Sequence, residues 1–353
     1  MKVCVTSLKF SPGHLSHIVA YGKLFRKIGN DVTLWLDRGY AKLDIKNEFP
    51  FLWYPETEPE KVDVLFFVNA STKNHVLCRN FKKKGARIIY LYHEPWESFY
   101  QYLKEGLKQA LKATAAHYFS TKVLPFCDLV IVPSEYALGL YKRHDVRYNN
   151  KVIKIPLLFD DELCGEIDLS KKEYFSYIGH AVKGHAFDEY IAFIKYAYAK
   201  GVQFKFEIAT RTDLGSLLKR DRALIKMENE GILRISHGRP LTNEEINQAY
   251  ERSFCVWNLY RRSTQSGVLP KAFMFGTPVI ATRMGSFPEY VSDTKNGFLM
   301  GCAYRFEDLL VAAAGTKKDI QVMAKHCRAT FKKVFYWKSW LDSDLVKTVQ
   351  SLL

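Results

Sequence analysis

The sequence has no run of about 18 uncharged apolar residues, the length that a membrane-crossing helix requires. Its first residues, MKVCVTSLKF, enter a strand-like pattern without the apolar stretch of a signal peptide. The expectation is a chain that neither spans a membrane nor carries a recognisable export signal. Paired cysteines are also lacking. The seven present, at positions 4, 78, 127, 164, 255, 302 and 327, are odd in number, scattered and without a Cys-x-x-Cys, which argues for reduced thiols in the cytosol and against structural zinc. No Gly-x-Gly-x-x-Gly occurs, so a nicotinamide dehydrogenase has no phosphate fingerprint here. Acidic residues are scarce: 37 against 52 Lys and Arg, a formal +15, and the stretch from Lys73 to Lys154 alone holds fifteen basic and six acidic residues. A patch that local suits nucleic acid, anionic lipid headgroups or a phosphate-bearing substrate, with a solvated face as the plain alternative. No nucleic-acid recognition motif accompanies it, so no nucleic acid is expected as a partner.

What is present is enough for two cores. The 353 residues exceed one ordinary domain, and 48% hydrophobic content excludes a disordered chain. Short β-branched or apolar runs alternate with helix-period segments, the pattern of an α/β fold with parallel sheets covered by helices. Strands are expected over 3–7, 32–36, 62–69, 87–92, 127–132 and 151–155, and helices over 15–28, 72–84, 97–122 and 135–142, the last capped by Ser134. Residues 156–172 lose periodicity and turn acidic, which marks a linker. The pattern then restarts with strands over 174–178, 204–209, 232–237 and 254–259 and helices over 188–200, 214–230 and 243–250. The expected domains are 1–158, a linker 159–173, a second domain 174–332 and a terminal helix 333–353. Ligands in such folds sit beyond the carboxyl ends of the strands, so the cleft between the two domains is the expected site.

Residues 265–300 carry the most chemistry. Ser266 can cap a short helix, Gly267 admits a ligand to the backbone, and Pro270 falls in the first turn, where its missing N–H costs little. The amides of Gly267, Val268 and Leu269 at that helix start form an anion site suited to phosphate, and a plain capped helix is the alternative. The helix ends at Gly276, and Thr277-Pro278 launches a strand over 279–282.

With Gly276-Thr277-Pro278-Val279-Ile280-Ala281, Gly285, Glu289-Tyr290-Val291 and Asn296-Gly297-Phe298-Leu299 in this order after Ser266-Gly267, the chain resembles the glycosyltransferases of family 4. The segments 127–134 and 151–156, Tyr177-Ile178-Gly179 with Lys183-Gly184, and Tyr336-Trp337-Lys338-Ser339-Trp340 extend the resemblance over essentially the whole sequence. It implies the GT-B fold: two doubly wound Rossmann-like domains facing across a cleft, with a C-terminal helix crossing back to the first. It also implies retaining transfer of a sugar from a nucleotide-diphosphate donor, without a bound metal or other cofactor, to a glycan or lipid-linked acceptor in surface polysaccharide or glycolipid synthesis. Two family glutamates are missing. Their positions hold Ser263 and Lys271, and His180 stands where an arginine is common. A catalytically silent GT-B scaffold binding a glycan or protein partner is therefore the second expectation.

Roles follow from the resemblance. Lys183 neutralises the leaving diphosphate and His93, at a strand end, orients the sugar. Gly13, His180, Arg261, Arg262, Gln265, Ser266, Gly267, Val268, Leu269, Lys271 and Glu289 line the donor, and His14 and Glu94 the acceptor. Arg261 and Arg262 suit phosphate oxygens because a guanidinium fork matches them, although they also read as exposed strand-end charges. His14-x-x-His17 lacks a third metal ligand, and Asp342-Ser343-Asp344 reads as helix surface. Lys104, Lys108 and Lys112 border an apolar stripe, so this segment either lies on an anionic membrane surface, peripheral to the inner face of the plasma membrane, or packs on the sheet.

Overall fold

The computed structural model describes residues 1–43, 48–148, 150–239 and 241–352. The chain divides into two units, residues 1–160 with 334–353, and residues 161–333.

In the first unit the strands are β1 (Lys2–Ser7), β2 (Asp31–Asp37), β3 (Phe51–Tyr54), β4 (Val64–Phe67), β5 (Arg87–Leu91), β6 (Leu129–Val132) and β7 (Lys151–Lys154). Among the described residues they form one seven-stranded sheet in the order β3-β2-β1-β4-β5-β6-β7. Every pairing is parallel. The helices are α1 (Leu15–Lys27), α2 (Asn74–Lys83), α3 (Phe99–Leu103), α4 (Leu107–Val123) and α5 (Glu135–His144). Strands β4 and β6, VLFF and LVIV, are buried at every residue because layers cover both faces of a parallel sheet. Ser134 caps α5 as expected, its Oγ accepting the Ala137 amide at 3.0 Å. The helix expected over 97–122 is two helices, interrupted at Gly106, whose φ of +120° no helix accommodates. Edge strand β3 is not among the expected strands, although its Phe51-Leu52-Trp53-Tyr54 run is rich in strand-favouring aromatics, and its four residues are only half-buried.

The second unit holds β8 (Tyr174–Ile178), β9 (Lys205–Ala209), β10 (Leu233–Ser236), β11 (Ser253–Asn258), β12 (Val279–Thr282) and β13 (Gly297–Met300). Their order is β10-β9-β8-β11-β12-β13, again parallel throughout the described residues. The helices are α6 (Phe187–Ala199), α7 (Gly215–Leu218), α8 (Arg222–Asn229), α9 (Asn243–Arg252), α10 (Val268–Met274), α11 (Phe287–Tyr290), α12 (Phe306–Lys318) and α13 (Ile320–Thr330). The segment 214–230 is split because Asp221 caps a second helix, accepting the Leu224 amide. A fully enclosed Lys172 pins the segment before β8: its ammonium donates to the Ser253 carbonyl at 3.1 Å and to Thr277 Oγ1 at 2.8 Å. Burial pulls that ammonium down to about 7.

The chain leaves the first unit after Asp160 and re-enters it at Val334. The two passages run side by side: the Phe159 amide donates to the Phe335 carbonyl at 2.8 Å, the Trp337 amide to the Phe159 carbonyl at 3.1 Å, and Trp337 Nε1 to Asp160 at 2.9 Å. On the second unit's side Asp161 takes both Arg328, at 2.6 Å, and Lys332. The stretch after 333 is not one helix; short turns precede α14 (Asp344–Leu352). Among the described residues no helix is long and apolar enough to cross a membrane.

Candidate active site

In the first unit the strand order reverses between β1 and β4, and the loops leaving the carboxyl ends of β1, β4 and the next strand, β5, build the site. Ser7 ends β1. Its hydroxyl meets Tyr40 Oη at 2.8 Å and accepts from Asn69 Nδ2 at 2.8 Å, and Asn69 also donates to the Lys9 carbonyl. Neither Tyr40 nor Asn69 carries a sequence signal for this role; both hold the loop that delivers Pro12–His14. Gly13 has open space over its Cα, so no protein contact there requires a glycine. His14 stands 5.4 Å from His93, ring to ring, which brings the two predicted histidines together. Burial and the neighbouring His93 push the His14 imidazole down to about 3, and its enclosed Nδ1 has no hydrogen-bond partner among the described residues. His14 is therefore neutral at physiological pH. His17 turns away: its Nδ1 bonds the Leu158 carbonyl at 3.0 Å and its ring packs on Phe159, a core role. Glu94 is exposed beside His93. Among the described residues no cluster of His, Cys, Asp or Glu could hold a metal ion.

In the second unit the reversal lies between β8 and β11. The loop after β8 and the loop after β11 are bonded to each other. The Arg261 amide donates to the Gly184 carbonyl at 2.9 Å, Arg261 Nη1 to the Lys183 carbonyl at 2.6 Å, and His185 stacks on Tyr260 at 4.1 Å. A Cβ on Gly179 would sit 3.4 Å from Val268, so the turn that starts the Lys183 loop packs against the start of α10. Lys183 itself is exposed, its ammonium available to a ligand. Gln265 and Ser266 are buried in the adjoining turn. His180 is exposed, and its carbonyl, not its ring, anchors Tyr177 Oη at 2.7 Å. Gly285, at φ +58°, lies so close to the Ser263 carbonyl that a Cβ would fall 2.0 Å from its oxygen. That contact locks the loop carrying Glu289 onto the Ser263 turn, where the Ser286 amide also donates to Ser263. Arg262 is half-buried beside Ser263.

Four expectations need correction. The anion site at Gly267, Val268 and Leu269 is smaller than its sequence suggests, because Ser266 Oγ already accepts the Val268 amide at 3.1 Å and α10 has only seven residues. Gly267, rather than Ser266, is the residue preceding the helix. Arg261 is not an unpaired phosphate ligand: its Nη2 is neutralised by Asp188 at 2.9 Å and Glu189 at 2.6 Å. Lys271 is likewise paired, its Nζ lying 2.7 Å from Glu162 and 3.0 Å from Asn247 Oδ1, so the charge reversal at this position is cancelled by a carboxylate from the linker.

One cation was missed. Arg211 follows β9, the neighbour of β8, and its loop is joined to the Lys183 loop by the Ala181 amide donating to Thr212 Oγ1 at 3.1 Å. Arg211 Nη2 donates to the Leu241 carbonyl at 3.1 Å, but its enclosed Nε has no partner among the described residues. Burial lowers its pKa and, among the described residues, no carboxylate counters that effect, whereas Arg252 rests on Glu207 at 2.7 Å and Arg328 on Asp161. A desolvated guanidinium without a counter-charge is costly unless an anion arrives.

No protein-family model and no curated protein sequence matches the chain. Solved structures do. Sucrose-phosphate synthase from Thermosynechococcus elongatus superposes with a TM-score of 0.74 at 14% identity, over 99% of this chain and 98% of that one. Anabaena HepE in complex with UDP gives 0.70 at 15%, over 99% and 100%. The catalytic domain of starch synthase IV from Arabidopsis thaliana, bound to ADP and acarbose, gives 0.69 at 11%, over 99% of each. The fold is GT-B. The expected α/β architecture thus stands, with the second GT-B unit carrying the cationic loops and the first the paired histidines.

Proposed function

We propose that the protein is a glycosyltransferase that moves a sugar from a nucleotide-diphosphate donor to a glycan or lipid-linked acceptor, with retention of anomeric configuration, in surface polysaccharide or glycolipid synthesis. The observation that carries this reading is that the exposed Lys183, on the loop after β8 at the strand-order reversal of the second unit, and Arg211, on the loop after the adjacent β9 and with no carboxylate partner among the described residues, stand on two loops joined by a hydrogen bond. Both are suited to phosphoryl oxygens. HepE with UDP and starch synthase IV with ADP share the fold, and nucleotide binding is carried over from them as part of this proposal.

Departure of a diphosphate leaves negative charge on the leaving group and positive charge on the sugar, so fixed cations and dipoles lower the barrier more than a strong nucleophile does. In this reading Lys183 and Arg211 neutralise the diphosphate, and side-chain cations rather than a bound ion supply that charge. His93 and the neutral His14 orient sugar hydroxyls, since an uncharged imidazole nitrogen can accept a hydroxyl hydrogen. Glu94 receives the acceptor hydroxyl.

Nucleotide release measured with a panel of sugar nucleotides and of glycan and lipid-linked acceptors tests the proposal. Turnover that Lys183→Ala suppresses supports it, and inactivity across the panel overturns it. Binding of nucleotide without turnover in any combination would favour the silent scaffold, for which the replacement of two family carboxylates by Ser263 and Lys271 is the motive.

A further inference from the structure

Helices α2 and α4 of the first unit and the turn after α4 flank a solvent-open pocket of about 560 Å³ lined by His75, Val76, Arg79, Asn80, Lys83, Lys122 and Phe126. It contains three cations and no carboxylate. The cations that flank Lys83 in sequence are paired: Lys82 reaches Asp128 at 2.6 Å and Lys84 reaches Glu58 at 3.0 Å. Arg79, Lys83 and Lys122 have no acidic partner among the described residues. Arg79 and Lys83 are one turn apart on α2, a spacing at which like charges repel. An anion seated between them and Lys122 removes that repulsion.

The surface beside the cavity is apolar and uncovered. Of the seventeen residues of α4, only Ala110, Ser120 and Val123 are buried. Leu107, Leu111 and Tyr118 fall on one helical face with Lys122 and are 60%, 58% and 54% exposed, and Val76 on the cavity wall is 49% exposed. Lys122 lies over the Tyr118 ring at 4.3 Å, which joins that face to the cavity. Between Phe99 and Val123 the acid Glu105 stands against Lys104, Lys108, Lys112 and Lys122. Exposed leucines and a tyrosine flanked by lysines have the chemistry of an interface helix: the apolar face enters the acyl boundary while the cations meet headgroups. The acidic partner missing from the protein is then supplied by the lipid.

We propose that this face is a docking surface for an anionic phospholipid bilayer, with the phosphate of one headgroup seated in the cavity between Arg79, Lys83 and Lys122. This does not depend on the transferase reading, since neither helix contributes to the strand-end loops described above.

The test is co-sedimentation of the full chain with vesicles of phosphatidylcholine alone or containing about one-third phosphatidylglycerol, across a salt series. Binding is expected to the anionic vesicles and to fall steeply with salt. The variant Arg79→Gln/Lys83→Gln/Lys122→Gln should lose about a hundredfold in partition coefficient, at roughly fivefold per cation removed. Leu111→Ser/Tyr118→Ser should lose the part of binding that survives high salt. Because all five side chains face solvent, circular dichroism should match the parent chain. A parent chain that stays in the supernatant with anionic vesicles overturns the proposal. So does a folded triple variant that binds as the parent does, or retention on heparin or duplex DNA in preference to the vesicles.

Discussion

Lys183 and Arg211 make opposite demands on the protein. Lys183 is solvated in the unliganded chain, so Lys183→Ala should leave stability unchanged while lowering kcat/KM by about 10- to 100-fold, the worth of one charge-assisted hydrogen bond to a leaving group. Arg211 is desolvated without compensation, so Arg211→Gln should weaken nucleoside diphosphate binding by about tenfold or more, without lowering the melting temperature of the free protein. Calorimetric titration with UDP, GDP and ADP, and a thermal melt, read both. His14 sets a pH dependence whose sign is fixed. Its folded pKa, about 3, lies below the ordinary 6.5, and His117 is lowered by burial to about 4. The unfolded chain therefore binds protons that the folded chain does not, and the stability these neutral histidines preserve above pH 6.5 is lost as pH falls toward 4. Urea midpoints across that window should decline, and His14→Gln should decline less. The same residue cannot produce an acidic limb in the rate profile between pH 5 and 8.

At the scale of elements, the loop after β12 and the turn at Ser263 depend on one close approach. Gly285→Ala would place a methyl group against a backbone oxygen at a left-handed φ, and we expect a loss of about 2 kcal/mol or more in urea unfolding. Gly13→Ala meets nothing and should unfold as the parent does; a fall in donor affinity with stability intact would then report contact with ligand. The Ser134 cap and most strand positions were legible because their causes are local: a cap lies three residues from the amide it binds, and a buried strand shows its own hydrophobicity. The fates of Arg261 and Lys271 were not. Their carboxylate partners lie 73 and 109 residues away in sequence, and only folding reveals that both cations are already neutralised. The burial of Arg211 is similarly non-local. Breaking the half-buried pair with Glu162→Gln should cost about 1–3 kcal/mol, because it leaves the Lys271 ammonium uncompensated; Glu162→Gln/Lys271→Met should recover part of that loss.

For the whole molecule, ligand linkage distinguishes the two units. A nucleotide held only by the second unit at a hundred times its dissociation constant adds about 2.7 kcal/mol to that unit alone, so calorimetric unfolding should separate into two transitions of which one moves. Both sheets were expected from the alternation of strand and helix periods, and both reverse strand order near their middle, with the candidate residues on loops that leave the strands at or beside the reversal.

The paired passages at Phe159 and Tyr336, with Asp161 clasping Arg328 and Lys332, make residues 161–333 a nested cassette whose entry and exit are neighbours. A segment with adjoining ends can be excised, joined head to tail or transplanted into another host without stretching its backbone. Evolution could thus have exchanged residues 161–333 as a single genetic block.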